Sequence, residues 1–338
     1  MFSKKELKNT TQKIFEKYGL SEKSAEIIAD VLVHANLRGV DSHGVLRVEH
    51  YIKRIKEGGI NIQPQLSESE SSITTSTIDG DNGFGHYIGK RAMKSAIDKA
   101  KTGGIGAVAV KNSSHCGALS YFVNQAAEED LIGIAMTHAD KIVVPFGGAE
   151  SFFGTNPIAF GFPANEEDPL ILDFATSTVA LGKILNAREN GESIPSGWGV
   201  DENGNDTNNP NEVVSLTPFG GPKGYGLAMV VEIFTALLTG AAFGPHISKM
   251  YGDYDKNREL GHFFMAIDPA KFVAADIFKS RLDQMMRELR EALPAGDTEQ
   301  IFAPGDIEMK TVKEREQNGI PVPASIIEFL NNEVNTSL

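Results

Sequence analysis

The chain has 338 residues, 41% of them hydrophobic, and a net charge of −13. That length supports two or three structural units around real cores. The acidic balance excludes nucleic acid or an anionic membrane surface as the main partner, though not an anionic substrate in a local cationic pocket. Cys116 is the only cysteine, which excludes an internal disulfide and fits a reducing compartment. The N-terminal stretch MFSKKELKNTTQKIF has no apolar signal core. The most apolar run, residues 227–243, carries Glu232 and is short for a membrane span, so it reads as a buried helix. The expectation is a soluble, cytoplasmic protein.

Taken in chain order, residues 4–18 and 21–38 read as helices, the first ended by Gly19 and the second capped by Ser21. Ile27, Ile28, Val31, Leu32 and Ala35 give the second an apolar stripe. A third helix is expected from about 42 to 57, then a polar linker at 63–72. Strands at 73–79, 105–111 and 131–137 alternate with helices at 87–102 and 118–129, an α/β pattern. Residues 141–180 suggest short strands and ligand-facing loops; 186–212 are polar and turn-rich, with an exposed hairpin or loop expected at 201–212. A long helix at 223–240, a strand at 262–268, a helix at 274–293 and a short helix at 323–333 complete the pattern.

Gly83-Phe-Gly85-His-Tyr-Ile-Gly89 lies between a predicted strand and helix, as a dinucleotide fingerprint does. It has one residue too many before its third glycine. The next strand ends in Lys111-Asn112, with no carboxylate for a ribose hydroxyl. It therefore reads as a turn and helix start, and an ordinary Rossmann domain is not expected.

Four other clusters carry chemistry. Ser42, His43 and Arg47 follow Arg38-Gly39; on a helix, His43 and Arg47 share a face and suit a carboxylate or 2-hydroxy acid. The other reading is an N-cap serine on a solvated basic face. His115 follows an apolar strand, where α/β folds place ligands, and can exchange a proton near neutral pH. Taken alone, such a histidine is more often structural. Gly154-Thr-Asn-Pro157 and Asp173-Phe-Ala-Thr-Ser177 suit a polyhydroxylated ligand, or are ordinary turns. Gly220-Gly-Pro-Lys223-Gly-Tyr-Gly226 opens the long helix and could cradle a phosphate, although it is not a P-loop. The eight histidines lack the usual metal-ligand spacings, so no metal is expected.

In this order, R-G-x-x-S-H-G, G-T-N-P, D-x-A-T-S and G-x-K-G-Y-G resemble the malate/L-lactate dehydrogenase-like NAD(P)-dependent oxidoreductases over essentially the whole chain. The resemblance implies a non-Rossmann α/β fold of the sulfolactate/malate dehydrogenase kind, with an N-terminal helical domain and a mixed-sheet NAD-binding domain. The implied division is 1–62 with 305–338 (helical), 63–120 with 260–304 (α/β) and 121–259 (NAD-binding). It further implies a homodimer or higher homo-oligomer with sites near the subunit interface. His115 matches the family's proton acceptor, with His43 its rival for that role. Ser42, His43, Arg47 and Tyr51 match substrate-pocket positions. Ala139, Asp173, Phe174, Ala175, Lys223, Gly305, Asp306 and Ile307 match cofactor-contact regions. No arginine pair marks a 2′-phosphate site, so NAD is expected, with NADP the alternative.

The segments around His115, Val143, Ser248-Lys-Met-Tyr251 and Asn257-Arg-Glu-Leu-Gly261 resemble the ureidoglycolate dehydrogenase branch. The implied reaction is oxidation of (S)-ureidoglycolate to oxalurate, in the breakdown of allantoin. Malate, L-lactate and sulfolactate are the alternative substrates. Two readings lie outside the class: a non-enzymatic ligand-binding protein, and a cysteine hydrolase pairing Cys116 with His115. Adjacent residues of an extended segment point to opposite sides, which makes that pairing awkward.

Overall fold

The computed structural model describes residues 1–335. Helix α1 (Lys4–Lys17) starts in a capping box: Ser3 Oγ accepts the Glu6 N–H and the Glu6 carboxylate accepts the Ser3 N–H. Helix α2 (Glu22–Leu37) starts at Ser21, whose hydroxyl caps Ser24. Its Ile28 and Leu32 bury against Leu7, Ile14 and Phe15. The predicted helix from 42 to 57 is broken. Residues Asp41–His43 and Val45–Arg47 are separate 3-10 turns, and only Val48–Lys56 (α3) is α-helical. The backbone of Gly44 between them is extended and sits on the Asn36 side chain, where a Cβ would collide; Asn36 Oδ1 accepts the Val45 N–H at 2.9 Å. His43 and Arg47 therefore do not lie one turn apart on a single helix.

The predicted linker at 63–72 contains a strand, β1 (Ser67–Glu70), followed by β2 (Thr75–Asp79), α4 (Gly85–Gly103), β3 (Ile105–Ser113), α5 (Ser120–Ala127), β4 (Ile132–Thr137), β5 (Ile158–Phe162) and β6 (Leu170–Phe174). Helix α6 (Leu181–Asn190) and a two-residue pair, β7 (Gly199–Val200) with β8 (Ser215–Leu216), precede α7 (Pro222–Glu232). Helix α7 passes into a π-helical turn at Ile233–Leu237, and β9 (Leu260–Ile267), α8 (Ala275–Glu291), α9 (Asp306–Asn318) and α10 (Ala324–Asn335) come after it.

One seven-stranded sheet runs in the order β1-β2-β3-β9-β4-β5-β6. Only β2 and β3 are parallel; every other neighbouring pair is antiparallel. A doubly wound dinucleotide fold has a mostly parallel sheet, so this is a mixed α/β fold of another kind. One face packs Phe264 of β9 under Ile88, Met93 and Ile97 of α4 and Phe122 and Val123 of α5. Against the other, Val231 of α7 packs with Met136, Ile158 and Phe263. The reading of 227–243 as a buried helix holds for that face alone. Met229 (47% exposed), Leu237 (59%) and Leu238 (57%) point outward. No helix among the described residues is long and apolar enough to cross a membrane.

Candidate active site

His115 owes its position to an irregular strand end. The pairing of β3 with β9 shifts register between Val110 and Ser113, and Asn112 adopts φ 51°. Such a bulge bends a strand and re-aims the side chains just beyond it. The end is clamped by His262 of β9, whose Nε2 lies 2.8 Å from Ser113 Oγ and whose Nδ1 lies 2.7 Å from Thr137 Oγ1. The glycine loop at 83–89 holds the next residues. The Gly85 N–H donates to Ser114 Oγ (3.1 Å), which donates to the Gly83 carbonyl (2.9 Å). A Cβ on Gly85 would overlap Ser114 O and come within 2.8 Å of His115 C. These glycines thus let the start of α4 approach the His115 turn.

Three buried or half-buried aromatic groups meet there. The Tyr51 hydroxyl, from α3, lies 2.7 Å from His115 Nδ1 and 3.3 Å from His86 Nε2. Tyr51 is 2% exposed and His86 fully buried. With Nδ1 taken by Tyr51, Nε2 is the nitrogen left for a substrate hydroxyl. Burial, then the neighbouring His43 and Arg47, hold the His115 pKa well below the ordinary histidine value. His115 is therefore neutral at neutral pH, as a general base must be.

His43 and Arg47 still converge on His115, although not through a shared helical face. The His43 and His115 rings are 5.6 Å apart, and Ser42 Oγ is 3.0 Å from His43 Nδ1. Burial and Arg47 lower the His43 pKa to about 4. Arg47 Nε donates to the Ser42 carbonyl at 2.7 Å and Nη1 to the Tyr251 hydroxyl. Cys116 is buried, and burial raises its pKa to about 12. A buried thiol held protonated is a poor nucleophile, which counts against the cysteine-hydrolase alternative.

The residues matched to cofactor contacts form a second group. Gly154 packs so closely on Ala139 that a Cβ would lie 2.7 Å from Ala139 C. The Thr176 N–H donates to Thr155 O (2.8 Å) and the Phe219 N–H to Thr176 O (3.0 Å), tying three loops together. Phe174 meets Phe219 edge-on at 5.8 Å, next to the start of α7. Asp173 Oδ2 accepts the Ser120 N–H at 2.7 Å. Lys223 is exposed in the first turn of α7 and ion-pairs with no carboxylate among the described residues. Gly305 packs on Ile171 of β6, and the half-exposed Ile307 lies two residues on. Asp306 is otherwise engaged: both its oxygens accept from Arg290 (2.7 and 2.9 Å), and one also accepts the Ala303 N–H. The donor chemistry fits a dinucleotide. Lys223 and the uncapped N–H groups of α7 suit a pyrophosphate.

Sequence reasoning passed over a third group. Arg54, 2% exposed, donates to the carbonyls of Lys256 (2.8 Å), Met250 (2.9 Å) and Asp253 (3.1 Å). It thereby pins the loop carrying Tyr251 over the site. Arg258, 4% exposed, donates from Nη2 to Asp140 Oδ1 at 2.7 Å. His50, Tyr51, Met250 and Arg258 line one small cavity with His115. Tyr251 and Arg258 lie in segments read only as marks of a branch, and His86 in a loop read only as a turn.

The malate/L-lactate dehydrogenase family profile matches residues 2–331. Ureidoglycolate dehydrogenase (NAD(+)) of Escherichia coli O157:H7 is 40% identical, over 94% of this chain and 92% of that protein. Malate dehydrogenase of Pyrococcus abyssi is 39% identical, over 97% of this chain and 92% of its own length. Among solved structures, sulfolactate dehydrogenase from Methanocaldococcus jannaschii superposes with a TM-score of 0.93 at 37% identity, covering 99% of this chain and 96% of that one. The chain therefore belongs to the malate/L-lactate dehydrogenase family of nicotinamide-dependent hydroxy acid dehydrogenases.

Proposed function

We infer that this chain oxidises (S)-ureidoglycolate to oxalurate with NAD. The observation that carries this reading is His115, neutral and anchored by Tyr51, in a cavity shared with Arg258 and bordered by Arg47. Arg47 binds the substrate carboxylate, and Ser42 and His43 line the approach. His115 Nε2 takes the proton of the carbinol hydroxyl. Proton removal at that oxygen and loss of hydride from the same carbon turn the carbinol into a carbonyl, which in oxalurate is an amide carbonyl. A bound nicotinamide supplies the two-electron acceptor for that hydride. Ala139, Asp173 to Ala175, Lys223 and Gly305 to Ile307 would hold it, with Asp306 acting through its grip on the turn. A similar malate dehydrogenase at nearly equal identity makes L-malate the competing substrate.

The test is a panel of (S)-ureidoglycolate, L-malate, L-lactate and sulfolactate, each with NAD⁺ and NADP⁺, followed by nicotinamide absorbance. The largest kcat/KM is expected for (S)-ureidoglycolate with NAD⁺. A larger value for L-malate would move the assignment to malate, and no turnover with any of them would remove the enzymatic reading.

The protein acts as a cytoplasmic homodimer in this proposal. Met229, Leu237 and Leu238 lie exposed on α7 and the turn after it, an apolar face of the kind that marks a protein contact. Sedimentation of wild type and Leu237→Lys would test it: a monomeric wild type overturns the dimer.

A further inference from the structure

His86 is fully buried, and Nδ1 of its ring has no hydrogen-bond partner. The hydrogen bond that this ring does make, among the described residues, joins Nε2 to the Tyr51 hydroxyl at 3.3 Å. A buried imidazole with a single polar contact is a costly way to fill a core, so the contact itself calls for a role. The fold makes room for the ring: Gly117 has φ 79° and no side chain, and a Cβ there would lie 3.0 Å from His86 Cδ2. The His86 and His115 rings are 6.1 Å apart, and both meet the same hydroxyl. That hydroxyl can accept from two N–H groups but has one proton to give. The chain His115–Tyr51–His86 therefore has two polarities. If His86 donates Nε2–H to Tyr51, the Tyr51 proton goes to His115 Nδ1. His115 then carries its own hydrogen on Nε2 and has no lone pair there. If Tyr51 donates to His86 Nε2 instead, His115 donates Nδ1–H to Tyr51, and its Nε2 lone pair is free for a substrate hydroxyl. Burial keeps both imidazoles neutral, so each carries a single ring hydrogen.

We propose that His86 is a positioning residue: as acceptor of the Tyr51 proton, it holds His115 in the Nδ1–H tautomer, the one that can act as a base through Nε2. The inference rests on the reading of His115 as the proton acceptor for a 2-hydroxy acid. Without His86, the buried Tyr51 hydroxyl keeps one hydrogen-bond partner, His115 Nδ1 at 2.7 Å. Donating to that nitrogen puts the His115 hydrogen on Nε2. Removing the acceptor therefore imposes the wrong tautomer, whereas removing the Tyr51 hydroxyl only releases the His115 ring. Once Tyr51 is replaced by phenylalanine, His86 has no route to His115. The two losses cannot then be independent.

The experiment is nitrogen-15 NMR of histidine-labelled protein at neutral pH, which reads the hydrogen on each ring nitrogen. Steady-state kinetics run beside it, with whichever hydroxy acid of the panel is turned over fastest. Wild type, His86→Met, His86→Gln, Tyr51→Phe and the double variant Tyr51→Phe with His86→Met are compared, and His115→Ala assigns the His115 signals. In wild type, His115 is expected to carry its hydrogen on Nδ1. His86→Met keeps the bulk and removes the nitrogen acceptor. It is expected to move the hydrogen to Nε2 and to lower kcat about 10- to 100-fold, with KM moving less. His86→Gln, whose side-chain oxygen can stand in for Nε2, should recover most of that loss. In the Tyr51→Phe background, His86→Met should change kcat by less than about twofold. A wild-type His115 with its hydrogen on Nε2 overturns the proposal, and that result needs no His86 variant to fold. An unchanged tautomer in His86→Met, or losses that multiply in the double variant, overturn it as well. The expected tautomers in a protein that turns over no hydroxy acid would sink the catalytic reading and leave the link standing. Turnover with the His115 hydrogen on Nε2 would do the reverse.

Discussion

The Tyr51 hydroxyl lies 2.7 Å from Nδ1 of His115, while its ring is buried in the helical core with Phe15 and Phe84. Helix α3 thereby fixes which imidazole nitrogen faces the substrate. Tyr51→Phe keeps the packing and removes the bond. Turnover is expected to fall about 10- to 100-fold, a part of the roughly 10²–10⁴-fold worth of a positioned general base. The drop should be in kcat, with the KM for substrate moving less. A kcat within a factor of about two of wild type would mean that packing alone orients His115.

His115 and His43 compete for the proton. His115→Ala is expected to cut kcat by about 10²–10⁴-fold with NAD binding retained. His43→Ala, which removes a ring 5.6 Å away, should cost less. The depressed His115 pKa means that the base is already neutral at ordinary pH. The kcat/KM for oxidation should therefore stay level down through about pH 6.5, the ordinary histidine value, and fall only at more acid pH. A larger loss in His43→Ala than in His115→Ala would exchange their roles.

Buried neutral histidines also link stability to pH. His86 is held near 3, chiefly by burial, and His262 near 4. Their folded pKa values lie below the ordinary value of about 6.5, so the unfolded chain binds more protons as pH falls. Their contribution is complete above about pH 6.5 and is lost progressively as pH falls towards 3 to 4. The Tm should decline from pH 6.5 to 4.5, and His86→Gln should decline less steeply. Parallel curves would show that His86 takes no part in the acid response.

Much of this was legible in the sequence, for identifiable reasons. Helix α2 announces itself because Ser21 caps a regular apolar stripe. His115 is legible from its place after an apolar strand. Gly44 was the obstacle to reading the segment after α2: its packing on Asn36 is a tertiary demand, invisible in local pattern, and it splits the turn that brings His43 and Arg47 to His115. Strand β1 is masked by its composition, Ser-Glu-Ser-Glu, because an edge strand with both faces wet shows no alternation. Helix α9 has no buried residue and so gives no periodic signal. Arg258 lacks a local signal of any kind, since a buried arginine looks like a surface one until Asp140, 118 residues away, is placed beside it.

The glycine loop that imitates a dinucleotide fingerprint gives the sharpest remaining test. At Gly85 a Cβ would overlap Ser114 O and come within 2.8 Å of His115 C, so backbone must move, not a flexible side chain. Overpacking of this kind typically costs about 1–3 kcal/mol. Gly85→Ala should lower the Tm and, because the displaced backbone carries the base, reduce kcat far more than it weakens NAD binding. A phosphate-cradling loop predicts the opposite split, with NAD affinity lost and turnover at saturating NAD preserved. Fluorescence titration of NADH beside steady-state kinetics separates the two, and weakened NADH binding with unchanged kcat would return the loop to the cofactor.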